Sequence, residues 1–153
     1  MKRYVLVLVA VYDNGALTHV VLQQKGGKHP DMRCRNKLTL FGGSSTGELP
    51  DILHVRLEKQ FRDTSTIDAI MAGIGDEPVF DREYTDEEAD TAVFLCRMSL
   101  SELETHRAGF NNMSIILTAA ELKVFLDLGD RFFLPEINGI ISEALELGEF
   151  AQA

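Results

Sequence analysis

The chain has 153 residues, 45% hydrophobic and 25% charged, which suits one globular domain with a real core and excludes a disordered or fibrous protein. Its net charge of −9 argues against bulk nucleic-acid binding. Two cysteines, Cys34 and Cys96, make neither a disulfide framework nor a metal set, so they read as free thiols in a reducing compartment.

Lys2 and Arg3 precede an apolar run, as in a signal peptide. That run is rich in valine, passes straight into Asp13-Asn14-Gly15 and lacks a small-x-small cleavage site, so it reads as a strand. No segment approaches the ~20 apolar residues that span a membrane. A cytoplasmic protein without a membrane partner is expected.

Residues 5–11 form a continuous β-branched and apolar run, as in a strand covered on both faces. Asp13-Asn14-Gly15 predicts a tight hairpin turn, and residues 18–24 the returning strand. A loop of about a dozen residues follows, with Gly26-Gly27 and Pro30. Residues 38–41 read as a short strand that ends at a glycine-rich loop, Gly42-Gly43. Pro50 suits a first helical turn, and Ile52, Leu53, Leu57 and Phe61 give that helix an apolar stripe.

Residues 67–74 are ambiguous between a helix and an irregular crossover. A short strand is expected at 78–80 and a further strand at 91–98. Ser99 with Glu102, and Thr118 with Glu121, have capping-box spacing and each predicts a helix start. A strand at 113–117 precedes the second. Leu134, Ile137, Ile140, Ile141 and Ala144 mark one face of a last helix. The sum is one mixed α/β domain over residues 1–153, a sheet covered by helices on both faces.

Charge is unevenly placed. Between positions 25 and 37, Lys25, Lys28, Arg33, Arg35 and Lys37 face a single acid, Asp31, so this window carries +4 and the remainder −13. Such a loop suits a small anion such as a di- or triphosphate. An acidic run from Asp81 to Asp90 reads as a solvated loop, with a late carboxylate supplied to the site as the alternative.

The order of these parts, with Phe41-Gly42-Gly43 and Gly47-Glu48, resembles the Nudix hydrolase (MutT-like) family over nearly the whole chain. The resemblance implies a Nudix-like α/β/α sandwich. It makes residues 38–61 the equivalent of the Nudix box, G-x5-E-x7-R-E-U-x-E-E-x-G-U, where U is aliphatic. Counting from Gly42 gives Glu48 and Arg56 but puts Glu58 at the aliphatic position. Phasing by packing puts Leu57 there and aligns Val55 to Gln60 with R-E-U-x-E-E. Both registers lose the acid pair, with Lys59 and Gln60 in its place in the second, so the box is degenerate and shortened.

In the family those glutamates hold divalent cations that bridge a diphosphate and activate water. The resemblance therefore implies two alternatives of different kind. In one, the domain binds a nucleoside-diphosphate-type ligand through Lys25, Lys28, Arg33, Arg35, Lys37, Gly42, Gly43 and Lys59, without hydrolysis and without a cofactor. In the other it is an active pyrophosphohydrolase, with magnesium or manganese on Glu48, Asp51 or Glu58 and with Glu48 and Glu58 as catalytic residues. Glu48 and Asp51 have a second reading, as helix cap and dipole partner. A non-catalytic protein-interaction module is a further alternative, and a homodimer is compatible with the family.

Overall fold

The computed structural model describes residues 3–26, 28, 36–45, 48–84, 89–110, 114–134 and 137–152. Its centre is β1 (Arg3–Asp13), which pairs along its length in parallel with β6 (Ala89–Ser99). On the other side, the first half of β1 pairs antiparallel with β4 (Phe41–Ser45) and the second half with β2 (Ala16–Gln24). The hairpin turn forms as the sequence predicts, with Asn14 at φ 52° and Gly15 at φ 80°. β3 (Leu38–Thr39) and β7 (Ser114–Thr118) both pair with β2, and β5 (Phe80–Tyr84) pairs with β6.

The continuous apolar run of β1 is explained by two cores, one on each face of the sheet. Val5, Val7, Val9 and Val11 point to the side of α1 (Leu49–Gln60), α2 (Thr64–Gly73) and α3 (Leu100–His106). Leu8 and Ala10 point to the side of α4 (Ala119–Leu128) and α5 (Ile137–Gln152). All six are fully buried. The result is an α/β/α sandwich.

Both capping boxes form. Ser99 and Thr118 each accept from the backbone of the glutamate three residues on, and each glutamate reaches back to the cap. Residues 64–73 resolve into a helix, capped by Asp63, whose side chain accepts from Ser65 N–H at 3.0 Å.

Four expectations are corrected. Residues 38–41 are not one strand: pairing passes from β2 to β1 across Leu40, which separates β3 from β4. Gly42 and Gly43 lie within β4, opposite Leu6 and Val5, and not in a loop. The strand expected at 78–80 begins at Phe80 and extends to Tyr84, so the acidic run is partly strand; Asp86, Glu87 and Glu88 lie outside the described residues. Leu134 precedes α5 and donates its backbone N–H to the Leu38 carbonyl.

Candidate functional site

The site is the seam between β4 and α1. Glu48, in extended backbone conformation, starts the helix; Pro50 occupies its first turn, and Phe61 N–H closes it on Leu57 O at 2.8 Å. Ile52, Leu53 and Leu57 are buried, so the apolar stripe faces the sheet, and Glu58 is exposed. Of the neighbouring Leu57 and Glu58, Leu57 is thus the one that packs in the core. Arg56 and Gln60, four apart and hence neighbours on the helix, are half-buried beside that stripe.

Gln60 binds β4 directly. Gly42 N–H donates to Gln60 Oε1 at 3.0 Å, and Gln60 Nε2 donates to Gly42 O at 3.0 Å. One carboxamide thereby satisfies both backbone groups of Gly42, as a residue of a neighbouring strand does. A long contact of 3.5 Å runs from Gln60 Nε2 to Gln23 Oε1 on β2. Gly42 adopts φ 129°, and a Cβ there would collide with the Val5 carbonyl oxygen, so only glycine fits.

Arg56 lies over the next residue. A Cβ on Gly43 would lie 2.8 Å from Arg56 Cζ and Nη2, so the missing side chain is what lets the guanidinium approach. Arg56 Nε is buried with no hydrogen-bond partner among the described residues. A buried unpaired donor costs about 1–3 kcal/mol, and arginine stays charged. Sequence reading left Arg56 out of the site. The signal was present, since it directly precedes the buried Leu57 and stands four residues before Gln60.

The other expected residues are dispersed. Glu48 is exposed, and its side chain makes no capping hydrogen bond. Asp51 is exposed in the first turn. Glu58 is paired along the outer helix face with His54, Nδ1 to Oε1 2.9 Å. Lys59 is exposed, one residue before Gln60. Lys25 donates its backbone N–H to Lys37 O, which closes the neck of the basic loop. Lys37 Nζ donates to Arg131 O at 2.6 Å, on the opposite side of the sheet from α1. Lys28 is exposed; Arg33 and Arg35 lie outside the described residues.

Magnesium and manganese take hard oxygen donors, carboxylates foremost. Among the described residues, no three His, Cys, Asp or Glu side chains converge where an ion could sit. The groups over the β4 glycines are one carboxamide and one guanidinium. The described carboxylates are thus not gathered over the β4 glycines, whereas a cationic fork beside exposed lysine suits an anion. Among the described residues no helix is long and apolar enough to cross a membrane.

No protein-family model and no curated protein sequence matches this chain. Solved structures do. A mutT/nudix family protein from Listeria innocua superposes with a TM-score of 0.64 at 16% identity, covering 99% of this chain and 96% of that one. NrtR from Shewanella oneidensis gives 0.60 at 17% identity over 95% of this chain. A bifunctional NMN adenylyltransferase/ADP ribose pyrophosphatase from Francisella tularensis, solved with AMP and a manganese ion, gives 0.57 at 15% identity over 94% of this chain. The chain spans 63% and 41% of the latter two proteins. Element order, the β4–α1 seam and these superpositions agree that the chain has the Nudix fold.

Proposed function

We propose that this chain is a single, cytoplasmic Nudix-like domain that binds a nucleoside-diphosphate-type ligand and does not hydrolyse it by the metal-dependent route. The observation that carries the reading is the donor set at the β4–α1 seam. Gln60 spends its carboxamide on Gly42, Glu58 is turned outward to His54, and Arg56 stands over Gly43. A carboxylate-held cation neutralises a diphosphate in the family; here the protein brings positive charge itself. The Francisella neighbour, solved with AMP, supports a nucleotide-type ligand. Lys25 and Lys28 at the root of the basic loop, with Arg33 and Arg35 in it, are proposed to add to the phosphate grip.

The test is a panel of nucleoside di- and triphosphates, nucleotide sugars and dinucleotides, with magnesium or manganese, followed by phosphate release and by thermal shift. Stabilisation without turnover is expected. Turnover abolished by Glu48→Gln would overturn the non-hydrolytic reading in favour of an active pyrophosphohydrolase using Glu48, Asp51 or Glu58. Neither stabilisation nor turnover across the panel would leave a protein-interaction module, with or without homodimerisation, as the better account.

A further inference from the structure

The seam contains a cation whose surroundings the fold alone does not explain. Arg56 is half-buried, its Nε is fully shielded from solvent, and that nitrogen has no acceptor among the described residues. Fold stability gives no reason to keep it, because an aliphatic side chain beside Leu57 would pack there without a stranded donor. What keeps the guanidinium in place is Gly43, whose lack of a Cβ opens the space it occupies. Lys59, three residues on and exposed, is its neighbour on the helix.

Gln60 has two consequences for this site. It holds α1 to β4 at Gly42, which fixes the distance between the Arg56 backbone and the strand. It also adds no negative charge to the seam. Arginine presents a planar fork of donors that matches phosphate oxygens, and it does so regardless of pH.

We propose that Arg56, with Lys59, supplies the charge that holds a diphosphate at the β4–α1 seam, in the role a divalent cation fills elsewhere on this fold. This inference rests on the phosphate-ligand reading above and adds to it the residue responsible and independence from metal. The two glycines then have separate duties: Gly42 anchors the helix through Gln60, and Gly43 admits the guanidinium.

Isothermal titration calorimetry with ADP and with inorganic pyrophosphate, each in EDTA and in magnesium, tests it on the full chain. Binding of both is expected in EDTA. Arg56→Gln is expected to weaken it roughly 10- to 100-fold, Arg56→Lys by less, and Lys59→Gln by roughly 2- to 5-fold. Lys123→Gln, which removes the same charge from α4 on the opposite face, is expected to leave affinity unchanged. Unfolding midpoints of the unliganded variants separate lost binding from lost structure, and Lys59→Gln, at an exposed position, reports even where Arg56→Gln does not fold. Binding only in magnesium, or full affinity in Arg56→Gln, would overturn the inference and leave the ligand reading standing. No binding in either buffer would overturn both.

Discussion

Gln60 and Gly42 are joined by two hydrogen bonds of 3.0 Å that run in opposite directions. A carboxylate can repeat only one of them. Gln60→Glu would place a negative oxygen against the Gly42 carbonyl, so the variant is expected to lose about 1–3 kcal/mol at neutral pH. Protonation of the new carboxyl restores a donor and raises its folded pKa above the unfolded one. The penalty should therefore shrink as pH falls through the carboxyl range, and urea unfolding of both proteins at pH 7 and pH 4 measures it. An equal deficit at both pH values, or a magnesium-dependent gain in the variant, would contradict this account.

Gly42→Ala and Gly15→Ala both place a side chain at positive φ, but their surroundings differ. At Gly15 nothing lies within 4 Å of the new Cβ, so the cost is the backbone strain alone, about 1–2 kcal/mol. At Gly42 the Cβ collides with the backbone of β1, and the strand must move. A loss of about 3–5 kcal/mol is expected there. The ordering of the two midpoints is the measurement, and Gly42→Ala milder than Gly15→Ala would refute the close approach of β4 to β1.

These two glycines also show what a sequence can reveal. Asn14-Gly15 was legible because a two-residue turn is a local choice, and both capping boxes were legible because each closes within four residues. The valine run of β1 disclosed burial on both faces without disclosing what covers them. Gly42-Gly43 was misread as a loop because glycine weakens a strand in isolation; only pairing with Leu6 and Val5, some 40 residues away, makes it one. Gln60 and Arg56 are visible in the box, but their contacts with Gly42 and Gly43 are not, for the same reason. Their partners are defined by the fold and not by spacing, and a box read for missing acids draws the eye to Lys59, which is exposed.

Three carboxylates, Glu104 and Glu121 exposed and Asp63 half-buried, link stability to acid. Hydrogen bonds hold each below its ordinary range: Glu121 through the backbone and then the hydroxyl of Thr118, Glu104 through the side chain and charge of Arg107, and Asp63 through the side chain and backbone of Ser65. A depressed folded pKa means stability that is fully present above the unfolded value, near 4.5 for glutamate and 3.8 for aspartate, and lost as pH falls through the lower folded value. The melting temperature should thus be level from pH 7 to about pH 5 and fall below that. Thr118→Ala removes the hydroxyl, the second of the two causes at Glu121, while the backbone N–H remains, and is expected to cost about 1 kcal/mol at pH 7. It should also flatten part of the acid decline, and a decline as steep as in the parent would refute the assignment to this cap.

Cys96 provides a probe of the core beneath α2. It is fully buried on β6, and burial with the nearby Glu102 charge pushes its thiol pKa up to about 12. The thiolate is the reactive form, so at pH 8 the folded protein should leave Cys96 unmodified by iodoacetamide. Denaturant should expose it within the unfolding transition. Peptide mass spectrometry after timed labelling distinguishes it from Cys34. Gly73, at the end of α2, packs against the sulfur, with an ideal Cβ only 2.6 Å from Sγ. Gly73→Ala must therefore displace either the helix end or the sulfur. It should lower the denaturant concentration at which Cys96 labels, and labelling unchanged in this variant would mean that the contact does not constrain the α2–β6 packing.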